Sequence, residues 1–256
     1  MEFTGKLGKY KIIETEDQTK TLWSEFFDEA CHNLSGAYNE TVFNYIQGCF
    51  IPEQIASAIN VKILDVGFGL GIGLLAFMDE IKKHVYQEKR SFTYVSIELD
   101  EDLFLWSVKS NFPEYSFTKL DNYYYGVFNL GPHSSLSVMI FIGDGRMTIP
   151  RAYDLKLLPE FTAIFQDAFS PKKNPVLWTV EWFSTLKAIS NSEVYLSTYS
   201  ASVSIRKSMI AAGWKIKSKT GFGRKKTMTL ARLTGETEPL LSAELSRSPA
   251  LELHDN

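Results

Sequence analysis

Between residues 61 and 212, short apolar runs alternate with longer runs of helical period, and this alternation constrains the fold more than any other feature of the chain. The short runs are residues 61–66, 92–98, 137–142, 161–166 and 194–198; the longer ones are 72–83, 101–110, 176–189 and 203–212. Strands separated by helices of about 10–14 residues form βαβ units, hence an α/β fold with a mainly parallel sheet covered on both faces. Two further runs, 214–220 and 227–233, enclose Gly221-Phe222-Gly223 and predict an antiparallel hairpin at one edge. Near the start, residues 10–15 and 19–23 flank the turn-prone Glu16-Asp17-Gln18 as a β-hairpin, and Val42, Tyr45, Ile46 and Cys49 then recur at helical spacing. The expected organisation is an N-terminal extension (1–60, hairpin plus helices capping the site), an α/β domain (61–235), and a polar segment with Pro239 and Pro249 (236–256) that reads as a mobile tail.

Composition excludes several classes. At 256 residues and 45% hydrophobic, the chain is neither collagen-like nor of low complexity. Cys31 and Cys49 make no disulfide framework or zinc pattern, and the first residues lack the apolar core of a signal peptide, so a cytoplasmic protein is expected. The uncharged stretch 122–143 is long enough to span a bilayer, but Asn122, Asn129, His133 and the Gly131-Pro132 pair interrupt it, so no membrane span is expected.

The net charge of −3 hides a strong asymmetry: residues 194–235 carry nine Lys/Arg and no acid. A local patch, not the net charge, decides phosphate binding. Arg206, Lys207, Lys215, Lys217, Lys219, Arg224, Lys225 and Lys226 form either a solvated face or an RNA-contacting surface, with Phe222 in the basic loop able to stack a base.

Residues 61–66 run into Gly67-Phe68-Gly69-Leu70-Gly71, which opens the next helix. Glycines here either serve tight packing or let a ligand approach the backbone at the carboxyl edge of a parallel sheet. The dinucleotide spacing G-x-G-x-x-G is not present. What remains, Asp65 two residues ahead of Gly67, Gly69 and Gly71, resembles the first motif of class I methyltransferases, which have a Rossmann-like sheet and bind S-adenosyl-L-methionine. In that architecture Glu98, closing its strand, receives the ribose hydroxyls, or else begins the helix that Asp100, Glu101 and Asp102 open. Asp144, followed by Gly145, contacts the adenine amino group or caps a helix. The resemblance thus assigns Asp65, Gly67, Phe68, Gly69, Gly71, Glu98, Asp144 and Gly145 to the cofactor.

The most specific stretch runs from Asp167 through Phe169, Pro171, Lys172, Lys173, Asn174 and Pro175 to Trp178. It is similar to the D-x-F-x-P-x-K-N-P-x-x-W loop of the methyltransferase domain of the bifunctional tRNA 5-methylaminomethyl-2-thiouridine biosynthesis protein and its stand-alone relatives. His32 with Gly36-Ala37-Tyr38-Asn39-Glu40-Thr41, and Gly221-Phe222-Gly223-Arg224-Lys225-Lys226, resemble further motifs of that family, while Phe43, Leu70 and Gly73 depart from it. The resemblance implies methylation of the 5-aminomethyl group of 5-aminomethyl-2-thiouridine at the tRNA wobble position. It implies Asp167 as the catalytic residue orienting the amine and touching the cofactor, and Glu40 as a further cofactor contact. Tyr38, Lys172, Lys173, Asn174, Phe222, Arg224, Lys225 and Lys226 would meet the RNA. With 23 residues after Leu233, no flavin domain is expected, which leaves a separate flavin-dependent oxidoreductase acting upstream as a candidate partner. The competing readings are an aminopropyltransferase or small-molecule methyltransferase on the same fold, and a non-catalytic RNA-binding relative.

Overall fold

The computed structural model describes residues 2–32, 34–223 and 226–255. Arg224 and Lys225, two of the expected RNA contacts, lie outside the described residues.

Four strands at the N-terminus, β1 (Glu2–Gly5), β2 (Gly8–Glu14), β3 (Lys20–Ser24) and β4 (Glu29–Ala30), form a small antiparallel meander. Helix α1 (Ala37–Thr41), a π-helical turn (Val42–Ile46) and α2 (Ile51–Ala56) lead into the main unit. There β5 (Lys62–Val66), α3 (Ile72–Lys82), β6 (Arg90–Glu98) and α4 (Glu101–Asn111) follow the expected alternation. Next come β7 (Thr118–Leu120), β8 (Tyr123–Gly131), β9 (Ser134–Ile142), α5 (Gly145–Asp154), β10 (Phe161–Phe165), α6 (Val180–Ala188), β11 (Ser190–Thr198) and α7 (Val203–Ala211). The chain closes with β12 (Lys215–Thr220), β13 (Thr227–Arg232) and α8 (Pro239–Arg247).

The large sheet has nine strands in the order β12-β13-β11-β10-β5-β6-β9-β8-β7. Strands β11, β10, β5, β6 and β9 are parallel, and antiparallel pairs extend both edges. The chain moves outward from β5 through β6 to β9, then returns beside β5 with β10, so the sheet reverses its order between β5 and β10. Crevices at the carboxyl ends of strands around such a reversal are where open α/β sheets hold ligands.

Both faces of the sheet are covered, as its strand composition requires. Leu64 and Val66 point into one core with Trp178, Trp182 and Trp214, whereas the alternate Ile63 joins Phe77, Phe92 and Tyr94 in the other. A smaller third core, containing Tyr10, Leu22, Ile72 and Leu103, joins the N-terminal meander to the main unit. The buried Asp100 reinforces that joint: its carboxylate accepts hydrogen bonds from Lys6 N, Leu7 N and Tyr10 Oη while capping α4 through Asp102 N and Leu103 N.

The uncharged stretch 122–143, expected not to span a membrane, is largely a hairpin, β8 and β9, whose Gly131-Pro132 pair lies at the turn. One expectation is corrected. Residues 236–256 hold an element: α8 buries Leu241 and Leu245 against the core that contains Trp214, Leu253 O accepts from Val180 N, and Lys207 Nζ donates to Ser248 O and Ala250 O. Polarity hid this helix because only one narrow stripe of it is apolar. Among the described residues, no helix is long and apolar enough to cross a membrane.

Candidate active site

A cleft of about 860 Å³, open mouth included, lies at the carboxyl ends of β5, β6, β9 and β10. Gly67, Phe68, Gly69, Glu98, Asp144, Gly145, Asp167 and Asn174 line it, and Ile97, Leu99, Val176 and Leu177 supply apolar walls. Gly67 has φ +112°, and a Cβ there would crowd Asp167 O at 3.3 Å. Gly69, at φ +52°, opens onto free space and donates its N–H to Glu98 Oε2 at 2.9 Å.

Glu98 is 8% exposed, and its Oε1 accepts from Asp100 N at 3.0 Å. Burial pushes its carboxyl up to about 7 against the pull of the two backbone N–H donors. Each oxygen keeps acceptor capacity beyond its backbone partner, which suits a vicinal diol. Asp144 caps α5, accepting from Arg146 N at 2.9 Å, and it also lines the cleft. The Arg146 guanidinium pairs with it at 2.7 Å and holds its carboxyl below the ordinary range.

Other expected cofactor contacts stand elsewhere. Asp65 shares the β5 face of Ile63, so strand alternation turns it behind the glycine turn, where the Tyr94 hydroxyl donates to it and burial raises its carboxyl to about 7. It does not line the cleft. Gly71 serves packing, since a Cβ would meet the Phe68 and Phe112 rings. Glu40 is buried, in an adjoining pocket.

That pocket shares Cys31, His32, Asp167, Ala168 and Phe169 with the cleft and adds Glu29, Glu40, Ser170 and Tyr199. Three carboxylates, from β4, α1 and the loop after β10, therefore meet in one recess. Asp167 Oδ1 accepts from the buried Tyr45 hydroxyl at 2.5 Å, and Oδ2 lies 3.9 Å from His32 Nε2. Glu29 Oε2 accepts from Ser170 N at 3.0 Å. The loop behind Asp167 is tied down from within: Trp178 Nε1 donates to Phe169 O, Asn174 N to Ser170 O and Gln166 Nε2 to Leu177 O, all within 2.8–2.9 Å. Trp178 is the residue of that stretch whose side chain ties the loop down.

The expected RNA contacts divide. Lys172 and Lys173 are exposed on this loop, and Lys173 pairs with Asp28 at 2.9 Å. Lys226 is exposed, and Phe222 packs against Phe43 with ring centroids 5.9 Å apart. Tyr38 donates to Asp79 Oδ2 at 2.8 Å and lines neither pocket. Within the acid-free segment, Arg206 is buried and bonds Thr229 Oγ1, Ser218 Oγ and Met228 O; Lys207 holds the C-terminal segment, and Arg232 pairs with Glu193. These three cations serve the fold. Tyr45, Glu29 and Tyr199 carried no sequence signal as site residues, because an aromatic at helical or strand spacing reads as core.

A family model described as S-adenosyl-L-methionine-dependent methyltransferase matches residues 116–234. The crystal structure of MNMC2 from Aquifex aeolicus aligns with a TM-score of 0.75 at 29% identity, covering 96% of this chain and 79% of that one. Together with the sheet order and the glycine turn, these define a class I S-adenosyl-L-methionine-dependent methyltransferase.

In sequence, the chain is 26% identical over 234 residues to an uncharacterized protein of Methanocaldococcus jannaschii, covering 87% of this chain and 59% of that protein. It is 28% identical over 233 residues to the tRNA 5-methylaminomethyl-2-thiouridine biosynthesis bifunctional protein MnmC of Aromatoleum aromaticum, covering 87% and 35% respectively. It is 26% identical over 216 residues to the protein of that name from Methylibium petroleiphilum, covering 81% and 32%. The chain thus spans about a third of the length of these bifunctional relatives. Over most of its length the chain is thus similar to proteins named MnmC and to MNMC2.

Proposed function

We propose that the protein methylates the 5-aminomethyl group of 5-aminomethyl-2-thiouridine at the wobble position of tRNA, yielding 5-methylaminomethyl-2-thiouridine. The observation that carries this reading is the recess of Glu29, Glu40 and Asp167 opening directly onto the cofactor cleft. Clustered carboxylates suit a cationic alkylamine and would repel a phenolate or carboxylate acceptor. The names borne by the bifunctional relatives and the exposed Lys172 and Lys226 support tRNA as the carrier of that amine.

When bound, S-adenosyl-L-methionine supplies an electrophilic methyl group on a sulfonium sulfur. The residues present fit it: Glu98 offers acceptors to the ribose diol, Asp144 an acceptor at the far end, and Leu99 and Val176 apolar surface for the adenine. Asp167, with one oxygen held by Tyr45, presents the other to the amine and orients it. Phe169, Ala168 and Tyr199 wall the recess beside its carboxylates, and positioning of the amine carries most of the acceleration. The amine resembles that of lysine, with a pKa near 10, so it arrives protonated and must lose a proton before it can attack.

The test is incubation of the protein with methyl-labelled S-adenosyl-L-methionine and tRNA bearing 5-aminomethyl-2-thiouridine. Label is expected in 5-methylaminomethyl-2-thiouridine after nucleoside digestion. Label in a polyamine offered alongside, with none in tRNA, refutes the reading.

A further inference from the structure

An acidic recess binds an ammonium well and for the same reason holds its proton, so the carboxylates alone work against the step that frees the nitrogen. We infer that His32 accepts this proton, through Nε2. The inference rests on the amine substrate proposed above.

His32 follows β4 and lines both the cofactor cleft and the acidic recess, the only residue type among the shared lining that titrates near neutral pH in its ordinary state. Its side chain is 9% exposed. Nδ1 lies 3.1 Å from Thr21 Oγ1, and the backbone N–H of His32 donates to the same oxygen at 3.1 Å. Thr21 is fully buried on β3, so the ring is held at a fixed orientation. A hydroxyl oxygen has two acceptor sites, enough for both the backbone N–H and Nδ1–H. In the tautomer that serves as base, Nδ1–H donates to Thr21 Oγ1 and Nε2 carries the lone pair, 3.9 Å from Asp167 Oδ2.

The same geometry accommodates the imidazolium without rearrangement: Nδ1–H stays on Thr21, and the new Nε2–H faces the Asp167 carboxylate. The titratable groups around the ring are Asp167, Glu29, Glu40, Cys31 and Tyr199 lining the recess, with Glu98 on the cleft side. Three of the recess groups are carboxylates, which stabilise the imidazolium as they do the ammonium, so the positive charge stays in the recess as the proton moves. In the transfer, one ammonium N–H bond breaks and an Nε2–H bond forms; the nitrogen keeps the electron pair as the nucleophile, and the proton later leaves His32 to solvent.

The test compares the wild-type chain with His32→Asn, whose amide can still meet Thr21 but has no group at Nε2. Methylation of tRNA bearing 5-aminomethyl-2-thiouridine is followed against pH, and S-adenosylhomocysteine binding is measured by calorimetry. Wild-type kcat is expected to level off at neutral pH. The variant is expected to bind S-adenosylhomocysteine as the wild type does, to be slower by about 100-fold at pH 7, and to gain roughly tenfold per pH unit toward pH 10 as free amine accumulates. A variant profile parallel to that of the wild type overturns the inference whatever its absolute rate. Should the variant fail to fold, nitrogen NMR of the wild-type His32 ring decides: its ionisation must coincide with the pH at which kcat levels off, and a ring in one state across that range overturns the assignment. Failure of the wild type to methylate this tRNA at any pH overturns the functional reading, and the inference with it.

Discussion

Replacing Glu98 by Gln should weaken S-adenosylhomocysteine binding and change its dependence on pH. The two carboxylate oxygens of Glu98 accept from Gly69 N and Asp100 N, and each still has capacity for a ribose hydroxyl. A glutamine supplies one such oxygen; its NH2 group must face one of the two backbone N–H donors, leaving that donor buried and unmatched. Loss of one charge-assisted hydrogen bond, at about 1.5–3 kcal/mol, and the weakening of the other give a combined cost of about 3 kcal/mol, or roughly 100-fold in Kd. The pH signature is more diagnostic. Burial holds the Glu98 carboxyl near 7, above the ordinary 4.5, so between those values the folded protein retains a proton that the unfolded chain has lost. A diol that needs the carboxylate must expel that proton, so affinity is expected to rise roughly tenfold per pH unit below about 7 and to flatten above it. The slope should vanish in Glu98→Gln. Asp65 titrates in the same range but stands behind the turn, and it is common to both proteins. Calorimetry from pH 5.5 to 8 measures both effects. Wild-type affinity in the variant, or a flat wild-type profile, would refute the assignment of Glu98 to the ribose.

Two other outcomes test the packing that supports the site. Asp100→Ala removes the acceptor for Lys6 N, Leu7 N and the Tyr10 hydroxyl in a buried position, so a loss of about 3 kcal/mol in unfolding free energy is expected, with hydrogen exchange rising first in β1 and β2; unchanged protection there would show that the third core alone holds the meander. Leu241→Ala and Leu245→Ala, each truncating a side chain 3% exposed, should each cost about 2–4 kcal/mol in denaturant unfolding, whereas a loose C-terminal segment would give effects near zero.

The cofactor half of the protein was largely legible in its sequence. A strand period, a helical period and a glycine turn are local signals, and they located β5, β6, β10, β11 and helices α3, α4, α6 and α7 to within a few residues, while α5 was missed. The hairpin of β8 and β9 was half legible: Asn129, Gly131 and Pro132 look like interruptions until β8 is seen pairing with β9 around them. The C-terminal helix was illegible because its single apolar stripe acquires meaning only beside Trp214.

The sequence by itself determined that this chain builds a parallel sheet with a glycine turn and acids at its carboxyl edge, because each of those features is encoded within a dozen neighbouring residues. Only the tertiary structure decided which acids line the cleft. Alternation along β5 sends Asp65 behind the turn, while Glu98 at the end of β6 stays in the cleft. The acidic recess is still less local, since Tyr45 lies 122 positions from the Asp167 it holds and Glu29 lies 141 from the Ser170 that anchors it. No periodicity links residues so far apart; folding the N-terminal extension over the sheet edge brings them within hydrogen-bonding distance.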